Sequence, residues 1–275
     1  MTINLIARLR SVSADMTPAL ERVATAVLAQ PDIVLYQSIT ELADHSKSSE
    51  ATVMRFCRDL GFSGFQDFKL ALARELATRD APPASQGQGD ALQELVATAI
   101  TALKETEKLV DRKALEQAAK ALLAARHIAI FGVAASAVTA EYLAYKFTRI
   151  GLMCRVGSDA HLAMMTAATA NASVVQIIVS SSGSTIDAVK VAEVARASKC
   201  TVIGITNRSK SPLVALSDIT FVASWPETPL TGGAFPSKIS QLLIVDALIS
   251  AILKADAARR GVIDVTAESV SDRNY

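Results

Sequence analysis

VVQIIVSSSGSTIDA, Val174 to Ala188, is the stretch whose reading decides the fold. An apolar run rich in β-branched residues reads as a strand buried on both faces. It empties into Ser180, Ser181, Ser182, Gly183, Ser184 and Thr185, and helical sequence begins at once. Five hydroxyls and a flexible backbone therefore meet a helix N-terminus, whose first N–H groups have no partner within the helix and whose dipole favours negative charge. Such a loop can hold phosphate oxygens without lysine or metal. The alternative is that the serines only cap the helix, with Ser182 or Ser184 as N-cap.

Working outward, His127 to Ser136, HIAIFGVAAS, repeats the plan. Ile128 to Phe131 forms the strand, Gly132 the turn, and Ser136 lies near the start of a helix that runs towards Ile150. In parallel α/β sheets ligands sit at the carboxyl ends of the strands, so the two loops are expected at one edge. The pair favours a binding site over two unrelated caps.

These residues resemble the sugar isomerase (SIS) domain, a five-stranded parallel α/β sandwich that binds phosphosugars. The family pattern S-x-S-G-x-T is met by Ser180, Ser182, Gly183 and Thr185, and its glycine-led first loop ending in serine by Gly132 and Ser136. The resemblance covers about Leu103 to Lys254 and implies that Ser136, Ser180, Ser182, Gly183 and Thr185 touch a phosphorylated sugar. One departure is that Ala134 and Ala135 stand where relatives often have glycine.

The chain of 275 residues, 51% hydrophobic and 20% charged, has the composition of a packed protein rather than a disordered one. Its net charge of +1 advertises neither nucleic acid nor membrane, so any DNA contact must come from a local patch. Cys57, Cys154 and Cys200 are far apart and lack C-x-x-C spacing, which argues against a disulfide framework or a metal site and points to a reducing cytoplasm. No secretory signal is visible at the start. The late apolar run Ile239 to Leu253 is too short for a bilayer and contains Gln241 and Asp246.

Residues 1–79 carry helical periodicity with almost no strand signal. Ser38 to Ser46, SITELADHS, is followed after a polar break by ATVMRFCRDL, in which Val53, Phe56, Cys57 and Leu60 form one apolar stripe. Two short helices across a tight polar turn suggest a helix-turn-helix. The opposite face of the second helix carries Ala51, Arg55 and Arg58, with Ser48, Ser49 and Thr52 at its margin and N-terminal end. Small polar residues there suit the major groove, and arginines suit guanine edges or phosphates. A solvated bundle face is the competing reading, because residues 1–80 hold nine basic against ten acidic side chains and only residues 45–74 turn positive, five against three.

The run S-x-A-T-V-x-R-F-C-R-x-L-G-F-x-G-F-x-D-F-K, Ser49 to Lys69, resembles the N-terminal domain of RpiR-type bacterial transcriptional regulators, a family that joins a helix-turn-helix to an SIS domain. The resemblance implies an α/β protein with an all-α helix-turn-helix domain at residues 1–79 and an SIS phosphosugar-binding domain with leading helices at 91–255. DAPPASQGQG, within residues 80–90, reads as a linker, and residues 256–275 as a loose polar tail without function.

Asp159 and His161 follow the second sheet strand, where the family often shows D-x-H. His161 is a candidate ligand contact, with capping by Asp159 and a packed histidine as alternatives. Lys238, where relatives often have arginine, is a candidate phosphate contact, with a solvated lysine as default. The expected partners are operator double-stranded DNA, a phosphorylated sugar effector and further copies of the chain, as a homodimer or homotetramer. Pairing is expected through the SIS domain, including its last long helix, because Leu242, Leu243, Val245, Leu248, Ile249 and Ile252 exceed one narrow stripe. No cofactor, metal or catalytic residue is expected. The rival class, a phosphosugar isomerase with an accessory helical domain, needs a base beside the sugar carbon. The second loop has Ser184 where such enzymes carry glutamate, and His161 and Glu141 lack a supporting pattern.

Overall fold

The computed structural model describes residues 5–79, 90–157 and 159–271. They divide into two compact units, one made of residues up to 94 together with 227–232, the other of 95–226 and 233–275. The linker expected at 80–90 lies outside the described residues except for Asp90.

The first unit is helical throughout: α1 (Leu5–Val12), a 3₁₀ turn at Ser13–Asp15, α2 (Pro18–Ala29), α3 (Pro31–Tyr36), α4 (Ile39–His45), α5 (Glu50–Asp59) and α6 (Phe65–Arg79). Pro18 and Pro31 stand in the first turns of α2 and α3, where a missing N–H costs nothing. Val53, Phe56, Cys57 and Leu60 are all buried, and Phe56 meets Phe68 edge-on at 5.5 Å. Burial pushes the Cys57 thiol up to about 12, so it behaves as a core residue and not as a reactive thiol.

The second unit holds α7 (Ala91–Leu109) from Leu95 onward, α8 (Arg112–Ala124), β1 (His127–Gly132), α9 (Ala135–Arg149), β2 (Cys154–Val156), α10 (Ala160–Ala168), β3 (Val174–Val179), α11 (Ile186–Ala197), β4 (Thr201–Thr206), α12 (Pro212–Leu216), β5 (Ile219–Val222), α13 (Phe235–Ala255) and α14 (Arg259–Glu268). Asp111 separates α7 from α8 as the N-cap of α8, where the carboxylate accepts from Lys113 N at 2.8 Å. All five strands are parallel, in the order β2-β1-β3-β4-β5. Every residue of β3 is buried. Val175, Ile177 and Val179 pack with Leu122, Leu143, Phe147 and Leu248 on the face covered by α8, α9 and α13, while Val174 and Ile178 pack with Ala163, Val191 and Leu213 on the face covered by α10, α11 and α12. A period of two along the strand thus feeds two cores.

One expectation needs correction. Within the tail, residues 256–271 are not loose, because α14 occupies much of them: Arg259 Nη1 donates to the Ile150 carbonyl at 2.9 Å and Ile263 packs on the core behind it. The broad apolar surface of α13 is buried on more than one side, since α8, α9 and the sheet cover Ile244, Val245, Leu248, Ile249 and Ile252 within one chain, and Leu242 and Leu243 are half-buried. Among the described residues no helix is long and apolar enough to cross a membrane, and no cluster of three metal-ligating side chains occurs.

The turn between α4 and α5 is closed by backbone bonds. Ser48 N donates to the Ala43 carbonyl and Lys47 N to that of Asp44, with Lys47 at φ +49, the paired bonds of a Schellman ending. At the start of α5 the Ser49 hydroxyl accepts from Thr52 N at 3.1 Å. Ser49→Ala is therefore expected to lower stability by about 1 kcal/mol in urea unfolding, without changing the denaturant slope.

Candidate functional site

The sheet order sets the site. Going out from the adjacent strands β1 and β3, the chain turns to opposite faces, into α9 and α11, and this divergence leaves a crevice at their carboxyl ends. The loops 132–136 and 180–185 line it.

The serine loop is held by the sheet itself. Ser180 N donates to the Ile205 carbonyl at 3.0 Å and Asn207 N to the Ser181 carbonyl at 3.0 Å, which extends the β3–β4 ladder past the strand end. Gly183 has φ +61, and its N–H donates to the Ser180 carbonyl at 3.0 Å. A Cβ there would lie 2.1 Å from Ser211 Oγ. The glycine is thus required by the N-cap of α12, whereas the sequence suggests only that it leaves room for a phosphate.

The N-cap of α11 is Thr185, and no side chain caps that helix. Ser184 N donates to Ser182 Oγ at 3.2 Å, a local turn bond and not a cap. The Ser180 and Ser182 hydroxyls instead converge on Thr185 Oγ1, at 3.3 and 3.5 Å. Three hydroxyls gather before the first turn of α11, where the peptide dipoles present their positive end.

The first loop is built on strain. Ala134, the N-cap of α9, sits at φ +50, ψ −129, a conformation suited to glycine, and no side chain caps that helix either. A Cβ on Gly132 would fall 2.7 Å from the Ser136 carbonyl oxygen, so only glycine lets α9 start this close to β1. Ser136 is buried on the first turn of α9.

Lys238 and His161 fare differently. Pro236 lies in the first turn of α13, and from that turn Lys238 Nζ donates to Ser181 Oγ at 2.7 Å and to Gln241 Oε1 at 3.2 Å, so the lysine stands against the serine loop and is not simply solvated. His161 is exposed on the first turn of α10, where the cap is Asp159, accepting from Leu162 N at 2.9 Å. No hydrogen bond ties His161 to the serine loop among the described residues. Glu141 is exposed on α9.

Behind the loop lies a network that sequence reading did not find. Gln241, fully buried, accepts from Thr139 Oγ1 at 2.8 Å and donates to Ser181 Oγ at 3.0 Å and to Asn207 Oδ1 at 2.7 Å. Asn207 Nδ2 donates to the carbonyls of Ser224 and Trp225 at 2.6 and 3.3 Å. A signal was present: Gln241 interrupts an apolar helix three residues after Lys238, on the same side, and a glutamine placed in a core needs partners.

On the first unit, α5 exposes Ala51, Arg55 and Arg58, and Thr52 is half-buried. Ser48 Oγ bonds Ser46 Oγ at 2.7 Å, and Ser49 Oγ lies 2.9 Å from Thr52 Oγ1, so these hydroxyls also build the turn. Arg55 Nε is 3.7 Å from Asp59 on the next turn, a solvated pair that a competing phosphate can displace.

Comparison with known proteins agrees with this division. Residues 3–79 match the model of the helix-turn-helix domain of the rpiR family, and residues 121–251 match the SIS domain. An uncharacterized HTH-type transcriptional regulator of Haemophilus influenzae is 32% identical over 92% of this chain and 91% of its own length. The chain belongs to the RpiR family. The HTH-type transcriptional regulator HexR of Pseudomonas aeruginosa, another relative, is 31% identical over 94% of this chain and 91% of its own. The Vibrio vulnificus NanR protein, solved in complex with ManNAc-6P, superposes with a TM-score of 0.92 at 38% identity, covering 98% of this chain and 99% of that one.

Within this RpiR-family chain the two glycine-type positions give opposite expectations. Ala134→Gly removes a strained alanine and is expected to raise stability by about 1 kcal/mol after the entropy cost of glycine. Gly183→Ala adds both positive-φ strain and a collision with Ser211 and is expected to cost about 3 kcal/mol. Thermal unfolding of the two variants beside the wild type checks both signs.

Proposed function

We propose that the protein is a cytoplasmic transcriptional regulator whose α4–turn–α5 segment binds operator DNA and whose serine loop binds a phosphorylated sugar that controls that binding. The observation that carries the ligand half is the uncapped N-terminus of α11, with the hydroxyls of Ser180, Ser182 and Thr185 converging before it and Lys238 standing against Ser181. Were the serines there only to cap the helix, Ser182 or Ser184 would be its N-cap. Ser136 and Gly132 complete the edge from the first loop. NanR binds ManNAc-6P, which makes a phosphorylated amino sugar the first compound to test here.

Regulation rather than catalysis suits this edge. An isomerase moves a proton with a positioned base. The serine loop offers hydroxyls only, and the carboxylate of Glu141 and the imidazole of His161 are exposed on α9 and α10 without a hydrogen bond that orients them towards it. The DNA half rests on Ala51, Thr52, Arg55 and Arg58 on one side of a helix whose other side is core, with Ser48 and Ser49 at its start. A two-fold operator needs two such helices, so the active species is a homodimer or homotetramer, and Leu95, Val96 and Ile100 of α7 remain exposed for such pairing. Ligand shifts operator affinity only by preferring one arrangement of the assembly.

Calorimetry with N-acetylmannosamine 6-phosphate tests the loop. Ser182→Ala and Thr185→Ala are each expected to weaken binding by roughly ten- to a hundred-fold, the loss of one hydroxyl bonded to a charged phosphate. Wild-type affinity in both variants removes the serine loop from the ligand site. Arg55→Ala is expected to weaken operator binding about ten-fold or more in a mobility-shift titration while phosphosugar binding stays as it was. An unchanged operator affinity would take α5 out of the groove.

A further inference from the structure

The buried amides of Gln241 and Asn207 have no freedom in their orientation, and that has a functional meaning. Ser224 N donates to Thr106 Oγ1 at 3.0 Å and Ser224 Oγ to the Ala102 carbonyl at 2.7 Å, which pins Ser224 to α7. Its carbonyl and that of Trp225 both point at Asn207 Nδ2. Two carbonyls can only accept, so the nitrogen of Asn207 must face them and its oxygen must face Gln241. Gln241 must then present its nitrogen to Asn207 and to Ser181, and its oxygen to Thr139 and Lys238. All four hydrogen-bonding positions of the Gln241 amide are used. Ser181 Oγ in turn accepts from both Gln241 and Lys238.

At the far end of this chain of bonds the backbone is strained. Trp225 has φ +66, a left-handed conformation that bulky side chains rarely adopt. Successive carbonyls of extended chain point in opposite directions, and those of Ser224 and Trp225 face the same amide only because the backbone reverses there. Trp225 and Pro226 are also the last residues of the sheet unit before Glu227.

We propose that Gln241 is a positioning residue that couples occupancy of the serine loop to the backbone at Trp225. The coupling rests on the anion-binding reading of that loop. An anion at the loop competes with Gln241 Oε1 for the Lys238 ammonium, whose 3.2 Å bond is the longest of the four that Gln241 makes, and takes the proton of the Ser181 hydroxyl that accepts from Gln241. Gln241 then has to exchange partners, and the Asn207 amide, a rigid plane with its oxygen on Gln241 and its nitrogen on the strained turn, moves with it. Trp225 relaxes when that amide turns. A network with every position filled has no way to absorb a lost partner locally, and so passes the change on.

The chain has one tryptophan, so its emission reads this turn alone. Full-length protein is titrated with N-acetylmannosamine 6-phosphate and separately with inorganic phosphate, following calorimetric heat and tryptophan emission together. In the wild type a saturable emission change is expected at the concentrations that give heat, with altered amide exchange in the peptide spanning residues 222–226. Gln241→Met keeps the volume and removes the amide. It is expected to bind within about ten-fold of wild type, the scale of one lost neutral hydrogen bond, and to lose the emission change. Asn207→Asp, which cannot donate to the two carbonyls, is expected to lose it as well. Wild-type binding with neither an emission nor an exchange change overturns the coupling while leaving the loop as the ligand site. An emission change that survives in both variants removes Gln241 from it. Absence of heat with either anion overturns the loop's role as an anion site and this proposal with it.

Discussion

Pairing of β3 on both sides is the constraint on which the serine loop depends. Six residues of that strand are in register with β1 from His127 to Gly132, and five with β4 from Thr201 to Ile205. A central parallel strand cannot slide by one residue without turning Val175, Ile177 and Val179 out of one core and Val174 and Ile178 out of the other. That rigidity continues past the strand end through the bonds of Ser180 and Asn207, so the hydroxyls of the serine loop inherit their positions from the sheet and not from the loop itself.

Two strained residues stand just past strand ends of the sheet. Ala134 and Trp225 both have positive φ, and they follow β1 and β5 by two and three residues. Conformations of this kind persist only where the surroundings over-determine them. Here the surroundings are the close start of α9 against Gly132 and the amide of Asn207. Ala134 carries a side chain, and the backbone keeps a glycine-type conformation anyway.

Much of this was legible beforehand because it is local. The apolar run 174–179 and the turn chemistry after it announce a buried strand and a helix start, and the stripe Val53, Phe56, Cys57 and Leu60 announces one face of α5. What escaped is long-range. Thr139 and Gln241 are 102 residues apart, and Gln241 and Asn207 34, so no window of sequence contains the buried network. The tail differs for the same reason: what fixes α14 is Arg259 reaching carbonyls at the end of α9, more than a hundred residues earlier. The breadth of the apolar surface on α13 was visible, but whether it meets its own chain or a neighbour is not a property of the helix alone.

The coverage of α13 by α8 and α9 within one chain has a consequence for how the protein would operate in a cell. A protomer that completes its own core does not need a mate in order to fold. For a protomer of that kind, mass action sets the balance between single and assembled species. Occupancy of a two-fold DNA site by such a protein rises with roughly the square of its copy number when the free species is single, so expression level becomes a second input alongside any small-molecule signal.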